Sequence, residues 1–196
     1  EKCASGDPAH YKDLVTDWCV ACSAGRYQST NGYDGSECTS QCSPGKWSNQ
    51  TGLSSDEQCQ GRCSAGKWSN QTGLSSDAQC EGCSAGKYSD QTGLTGDEQC
   101  QGRCSTGKFS NRTGLVSDDE CTVCGEGKSN AGNGNTECAG CPAGRIVGSL
   151  TPFECVVCAA GKYQPTVHLN ASLKCSECPV GLYLIDNGED DALHKS

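Results

Sequence analysis

The chain predicts a small disulfide-rich fold, an elongated tandem array of short β-hairpin and loop units stapled by disulfides, with little regular secondary structure and no helices of note. Three observations predict it. Cysteine supplies 19 of the 196 residues, a density typical of disulfide scaffolds in secreted proteins. Those cysteines recur at near-constant spacing. Core-forming side chains are scarce, with 11 Leu, 9 Val, 2 Ile, 2 Phe and no Met. That is too little apolar surface to offset the conformational entropy of ordering so long a chain, so covalent links must make up the difference.

The repeat is visible by eye. The segment Cys42-Ser-Pro-Gly-Lys-Trp-Ser-Asn-Gln-Thr-Gly-Leu-Ser-Ser-Asp-Glu-Gln-Cys59 returns as 63–80, 83–100 and 104–121. Looser copies extend in both directions. Gly25, Gly45, Gly66, Gly86, Gly107, Gly127, Gly144, Gly161 and Gly181 follow at intervals of 17 to 21 residues. Two residues after most of them stands a large side chain: Tyr27, Trp47, Trp68, Tyr88, Phe109, Ile146, Tyr163 or Tyr183. Ser129 is the small exception, and the apolar series Leu53, Leu74, Leu94 and Leu115 is confined to the four best copies. The organisation expected is a divergent N-terminal unit over 1–19, five regular repeats over 20–121, three divergent repeats over 122–175 and a truncated final repeat over 176–196.

The cysteines form nine close pairs after a leading Cys3, six pairs with two intervening residues and three with three. Loops of 13 to 16 residues separate the pairs. A bridge inside a close pair strains disulfide geometry. Bridging across each loop is the simple solution: Cys3–Cys19, Cys22–Cys38, Cys42–Cys59, Cys63–Cys80, Cys83–Cys100, Cys104–Cys121, Cys124–Cys138, Cys141–Cys155 and Cys158–Cys175. Each closure of a loop near 15 residues restricts the unfolded chain by about 3 kcal/mol. Interlocked pairings between neighbouring units also satisfy the count. Cys178 is left unpaired in this segment, its partner expected just beyond Ser196 or, alternatively, in another chain.

Each unit reads as two short extended segments and two turns. Pro-Gly or Ala-Gly after the first cysteine marks one turn and Thr-Gly the other, with Lys-Trp-Ser or Lys-Tyr-Ser a short strand between them. Tyr27, Trp47, Trp68, Tyr88, Phe109, Tyr163 and Tyr183 are expected to pack on their own disulfide and on the next unit. The functional alternative is an exposed aromatic ladder. Packing is preferred because each unit has almost nothing else to bury.

The pattern Cys-x-x-Cys-x-x-Gly-Lys-Tyr/Trp-Ser, with about ten residues to the next cysteine, resembles the ephrin-receptor-like cysteine-rich repeat. It is also similar to the first loop of a tumour necrosis factor receptor cysteine-rich module. The match begins near Cys19 and covers about nine tenths of the chain. Long arrays of this type are familiar in large extracellular proteins of algae and other protists. The tail Gly181-Leu-Tyr-Leu-Ile-Asp-Asn-Gly-Glu-Asp-Asp-Ala-Leu-His194 resembles units of stramenopile algae. The resemblance implies an elongated, disulfide-laddered rod and carries over no catalytic residue. The receptor modules interleave single-loop with interlocked units, whereas this chain shows single-loop spacing alone.

Other chemistry finds little support. The formal charge of −9 and the lack of a Lys/Arg cluster leave no electrostatic footprint for nucleic acid. No apolar run approaches the roughly 20 residues needed to span a bilayer, so no membrane insertion is expected within this segment. Glu1 reads as lying downstream of a processed or truncated start. Paired Cys-x-x-Cys knuckles are a zinc signature. Against zinc stand the three wider pairs, the odd total and the placement of His10, His168 and His194 outside any knuckle. Asp56-Glu57, Asp77, Asp97-Glu98 and Asp118-Asp119-Glu120 lack the spacing of a calcium loop and read as solvated turn residues. Three scattered His and oxidised cysteines do not assemble a nucleophilic triad. No enzyme activity and no cofactor are expected.

Asn-x-Ser/Thr sequons at Asn49, Asn70, Asn111 and Asn170 point to N-linked glycans, and the first three share one register just after the aromatic. Asp90 takes that place in the remaining close copy. The expected protein is secreted or on the cell surface. One function class is structural: a glycosylated segment of a fibre, flagellar hair or cell-surface stalk that associates with itself or with other extracellular proteins. The other is a ligand-binding ectodomain of a receptor or adhesin. In that reading Ile146, Val147, Phe153, Val156 and Val157 would offer the most apolar face, although packing between two shorter units is the plainer account of them.

Overall fold

A computed structural model describes residues 9–29, 33–34, 37–125, 127–130, 132–148, 154–164 and 174–178, with 33–34 described as backbone. The regular unit opens on a turn that its sequence dictates. In Ser43-Pro44-Gly45-Lys46 the Lys46 amide donates to the Ser43 carbonyl at 3.0 Å, and Gly45 takes φ +73°. Proline second and a left-handed glycine third are the chemistry of a type II turn. The two-residue strand after the turn, Lys46–Trp47, pairs antiparallel with Gly61–Arg62, which lies between the closing cysteine and the next opening one. Each hairpin therefore spans a whole disulfide loop.

The same pairing joins Arg26–Tyr27 to Ser40–Gln41, Lys67–Trp68 to Glu81–Gly82 and Lys108–Phe109 to Thr122–Val123. It continues with Lys128–Ser129 and Ala139–Gly140, Arg145–Val147 and Cys155–Val157, and Lys162–Tyr163 and Ser176–Glu177. At the N-terminus, His10–Lys12 pairs antiparallel with Cys19–Ala21 and parallel with Tyr33–Asp34. The second glycine turn does not fold its arm back into a hairpin. It delivers a leucine to the preceding unit, where Tyr27 and Leu53, Trp47 and Leu74, Trp68 and Leu94, and Tyr88 and Leu115 form single parallel bridges. A short 3-10 turn then closes each regular loop, at Asp56–Gln58, Asp77–Gln79, Asp97–Gln99 and Asp118–Glu120.

Eight bridges are formed among the described residues: Cys22–Cys38, Cys42–Cys59, Cys63–Cys80, Cys83–Cys100, Cys104–Cys121, Cys124–Cys138, Cys141–Cys155 and Cys158–Cys175. Their Cα atoms stand 5.5–5.9 Å apart, the usual span of a disulfide. Cys3 lies outside the described residues. The protein is thus a tandem array of cysteine-rich, disulfide-bonded hairpins.

The core is a series of small clusters, each a cystine and a leucine roofed by the aromatic of the unit before. Tyr27 packs on Cys42, Leu53 and Cys59, Trp47 on Cys63, Leu74 and Cys80, and Trp68 on Cys83, Leu94 and Cys100. Backbone hydrogen bonds run alongside. The Gln28, Ser48, Ser69 and Ser89 amides donate to the carbonyls of Leu53, Leu74, Leu94 and Leu115 at 3.0–3.1 Å. The Gly52, Gly73, Gly93 and Gly114 amides donate back to Cys22, Cys42, Cys63 and Cys83 at 2.7–2.9 Å. Neighbouring backbones thereby satisfy polar groups that the clusters bury.

Contacts reach further than adjacent units. A Cβ at Gly45 would meet the Gly93 carbonyl oxygen at 2.5 Å, and one at Gly66 the Gly114 oxygen at 2.5 Å. In both cases the touching turns belong to units two repeats apart. The chain divides into two compact units with interleaved segments, Glu1–Ser84, Tyr88–Gln101 and Gly114–Val116 in one, Ala85–Lys87, Gly102–Thr113 and Ser117–Ser196 in the other. The contacts of Gly45 and Gly66 lie inside the first, and Gly86 approaches Gly134 in the same way inside the second.

Gly66 and Gly114 share nearly the same backbone, with φ +77° and +78°, but only at Gly66 would a methyl strike a carbonyl within 3 Å. Gly114→Ala is expected to cost about 1 kcal/mol of backbone strain. Gly66→Ala is expected to cost a further 1–3 kcal/mol, roughly, from overpacking. Thermal unfolding with the disulfides intact checks this, and equal melting temperatures would remove any energetic role for the close approach.

Candidate interaction surface

The sequon register is built on a buried serine. Ser48, Ser69 and Ser110 are 3–5% exposed, and each Oγ accepts the amide of the residue two positions on, Gln50, Gln71 or Arg112, at 3.1–3.2 Å. The residue between, Asn49, Asn70 or Asn111, is left exposed at the apex of that small turn. Asp90 stands in the same setting beside Ser89. Asn170 lies outside the described residues. Three sequon asparagines therefore occupy one repeated, exposed position.

The aromatics do not form an exposed ladder. Tyr27, Trp47, Trp68, Tyr88, Phe109 and Tyr163 are all half-buried, the first three against the next unit's cystine and leucine. Tyr183 lies outside the described residues. The two indoles differ. Trp47 lies over Gly61, where a Cβ would collide with its ring, and its Nε1 donates to the Arg62 carbonyl at 3.0 Å. Trp68 faces Glu81 in that register, and its buried Nε1 finds no acceptor.

Of the acidic residues before the closing cysteines, Asp56, Asp77, Asp97 and Asp118 are structural clasps rather than solvated turn residues, while Glu57, Glu98, Asp119 and Glu120 are exposed. Asp56 Oδ1 accepts the Ser43 amide at 2.8 Å, and Oδ2 meets Lys46 Nζ at 2.6 Å. Asp77 binds the Ser64 amide and Lys67 in the same way, and Asp118 binds the Ser105 amide and Lys108. Asp97 accepts the Ser84 amide at 2.7 Å. Each carboxylate thus ties the closing 3-10 turn to the opening turn of its own loop. Burial opposes ionisation of Asp56, Asp77 and Asp118, but hydrogen bonds from the lysine and from the serine amide and hydroxyl outweigh it. These carboxyls are held below their ordinary value. The signal in the sequence was a lysine and an aspartate always ten residues apart, a spacing with no meaning in a helix or strand.

Among the described residues, no three His, Cys, Asp or Glu side chains converge as a metal site would need, and no helix is long and apolar enough to cross a membrane. Cys178 is a free, half-buried thiol. His10 lies in the first strand, while His168, His194 and Phe153 lie outside the described residues.

The divergent units carry a concavity. In the unit 124–138 the aromatic position is Ser129 and the leucine position is Asn135. The backbone pattern persists, since the Ser110 amide donates to the Asn135 carbonyl at 3.1 Å. Asn130 fills in locally, its Oδ1 accepting the Gly107 amide and its Nδ2 donating to the Lys108 carbonyl, both at 2.8 Å. A cleft of about 610 Å³ is lined by Ser129, Asn135, Glu137, Ala139, Pro142 and Cys155 among others. Ile146, Val147 and Val157 are half-buried in their own hairpin, and Val156 is 37% exposed.

Two predictions test the polar and aromatic parts of the repeat. Unfolded carboxyls titrate near about 3.9, and the clasped ones titrate lower. Their contribution to stability is therefore fully present above about pH 4 and is lost as pH falls through the folded values. Replacing Asp56, Asp77 and Asp118 together with Asn should lower the melting temperature at neutral pH and flatten its fall in acid. An unchanged acid slope in thermal melts would remove the clasp. Separately, Trp68→Phe releases an unsatisfied N–H, whereas Trp47→Phe breaks a hydrogen bond. Denaturant unfolding should find Trp68→Phe the milder change by about 1–2 kcal/mol.

The chain matches no protein-family model and no curated protein sequence.

Proposed function

We propose that this chain is a non-enzymatic extracellular structural protein, a glycosylated repeat segment that builds or coats a fibre, flagellar hair or cell-surface stalk. The observation that carries the reading is repetition of one surface: turn, exposed Asn (Asp90 in one copy) and clasp recur in the four close copies on a shared backbone ladder. A surface repeated at a fixed interval makes a regular lateral or axial contact more readily than a unique pocket does. Eight disulfides fit an oxidising, extracellular setting. The resemblance of the spacing to ephrin-receptor-like and tumour necrosis factor receptor repeats supports the same setting. N-linked glycans on Asn49, Asn70 and Asn111 would mark one edge of the array.

The second reading, a ligand-binding ectodomain, draws on the cleft beside Ser129, which lies in the divergent repeats where the sequence favours a differentiated surface. Electron microscopy of native, non-reduced protein separates the two. Filaments with a fixed axial repeat are the expected result, and isolated monodisperse particles at all concentrations would sink the structural reading. Glycosidase digestion and then peptide mass spectrometry should convert Asn49, Asn70 and Asn111 to Asp. Unmodified asparagine at all three would overturn the glycosylated edge.

A further inference from the structure

We propose that Asn49, Asn70 and Asn111 accept glycan only while the joints on either side of them are open, so that docking of each unit onto its neighbours closes the modification site. The inference rests on the glycosylated edge proposed above and supplies its timing. Transfer of an N-linked glycan requires a transferase to read Asn, the next residue and Ser or Thr together. The Asn amide nitrogen forms a bond to C1 of the first sugar and loses a proton. The bond from that carbon to a lipid-linked pyrophosphate breaks, and the pyrophosphate leaves. Carboxamide and backbone of the whole triplet must therefore fit the enzyme's groove.

In the folded chain that triplet is an arc pinned at both ends. Asn49-Gln50-Thr51, Asn70-Gln71-Thr72 and Asn111-Arg112-Thr113 are exposed, and each lies between a buried serine and a half-buried glycine that leads into a buried leucine. The leading end is held by the following unit, where the Ser48, Ser69 and Ser110 amides donate to the carbonyls of Leu74, Leu94 and Asn135 at 3.0–3.1 Å. The trailing end is held by the preceding unit, where the Gly52, Gly73 and Gly114 amides donate to Cys22, Cys42 and Cys83 at 2.8–2.9 Å. Within the arc, the amide after each Asn turns inward onto the serine Oγ at 3.1–3.2 Å. At Asn70 the sequon hydroxyl is engaged as well, with Thr72 donating to Gln41 Oε1.

A groove that takes Asn-x-Thr has to draw the backbone of those three residues away from the surface. Three extended residues span only about 10 Å. An arc with both ends fixed has no slack to give, so the ladder bonds must break first. The arc does not depend on asparagine. Asp90-Gln91-Thr92 has the same anchors, with the Ser89 amide on Leu115, the Gly93 amide on Cys63 and the Gln91 amide on Ser89 Oγ. The closed form is thus a property of the repeat. Order of synthesis sharpens the effect. A chain made from its N-terminus presents each sequon to a preceding unit that already exists, so the trailing anchor is the first to form.

The test uses the full, unglycosylated chain, incubated with membranes that carry the transferase and its lipid-linked oligosaccharide. Peptide mass spectrometry reads occupancy site by site. With its disulfides formed, the chain should be modified at Asn49, Asn70 and Asn111 at least about tenfold more slowly than after reduction and alkylation. Opening one ring with Cys42→Ser and Cys59→Ser should release Asn49, which lies in that ring, and Asn70, whose trailing anchor is the Cys42 carbonyl, while Asn111 stays closed. If that variant misfolds throughout, shown by modification at Asn111, Leu74→Ala takes its place. It loosens the cluster under Trp47 with every cystine intact, and should release Asn70 on the same arm and Asn49, whose leading anchor is the Leu74 carbonyl. Equal rates in the disulfide-intact and reduced chains, or a Leu74→Ala chain in which Asn70 gains nothing over Asn111, would overturn the closed site and leave the glycosylated edge standing. A reduced chain that takes glycan at none of the three removes both.

Discussion

Everything in this protein hangs on cystines that close each loop on itself. Sequence separations of 14 to 17 residues become Cα distances of 5.5–5.9 Å. That closure brings the opening turn beside the closing 3-10 turn, where a lysine and an aspartate can meet. It also places the two residues before the next opening cysteine against the strand next to the opening turn. Sulfur then takes the place that aliphatic side chains hold in an ordinary core. Cys42, Cys63, Cys83 and Cys104 are fully buried, and Leu53, Leu74, Leu94 and Leu115 nearly so.

Because each unit has one leucine and one ring to offer, no unit completes its core alone. The ring leaves home to roof the next cluster, and the leucine arm reaches back to receive it. Stability in such an array accumulates from neighbour terms, and here the approaches of Gly45 to Gly93 and of Gly66 to Gly114 extend the coupling to a second neighbour. The unit that gives up both ring and leucine, at Ser129 and Asn135, is one that lines the cleft.

Much of this was legible in the sequence. Cysteine spacing predicted bridges across the loops, the glycines predicted turns, and Ser129 stood out as the one small side chain in a column of large ones. Three features were not legible, each for a physical reason. Two-residue strands carry no periodicity, so pairing of Lys46–Trp47 with Gly61–Arg62 had no pattern to announce it. A glycine signals a turn whether or not another backbone lies against it, so the second-neighbour contact was hidden. The Lys46–Asp56 pair spans a loop closed by a disulfide, and charge-pair rules exist only for helices and sheets. Exposure of Leu14, Val15 and Trp18 was equally silent, because an apolar side chain in a divergent unit reads as core until its surroundings are known.

Bridging across each loop also decides how the chain would bear a pull. Tension enters a unit at its first cysteine and can leave through the bridge at its last, so the 13 to 16 residues between are bypassed. The covalent load path is then a string of cystines joined by linkers of two or three residues. Units dragged apart would surrender roofing contacts and ladder hydrogen bonds yet release almost no slack, and would lie close enough to re-dock when the load is removed. An interlocked connectivity would distribute strain differently. This one makes a tether that yields at its joints and stays short.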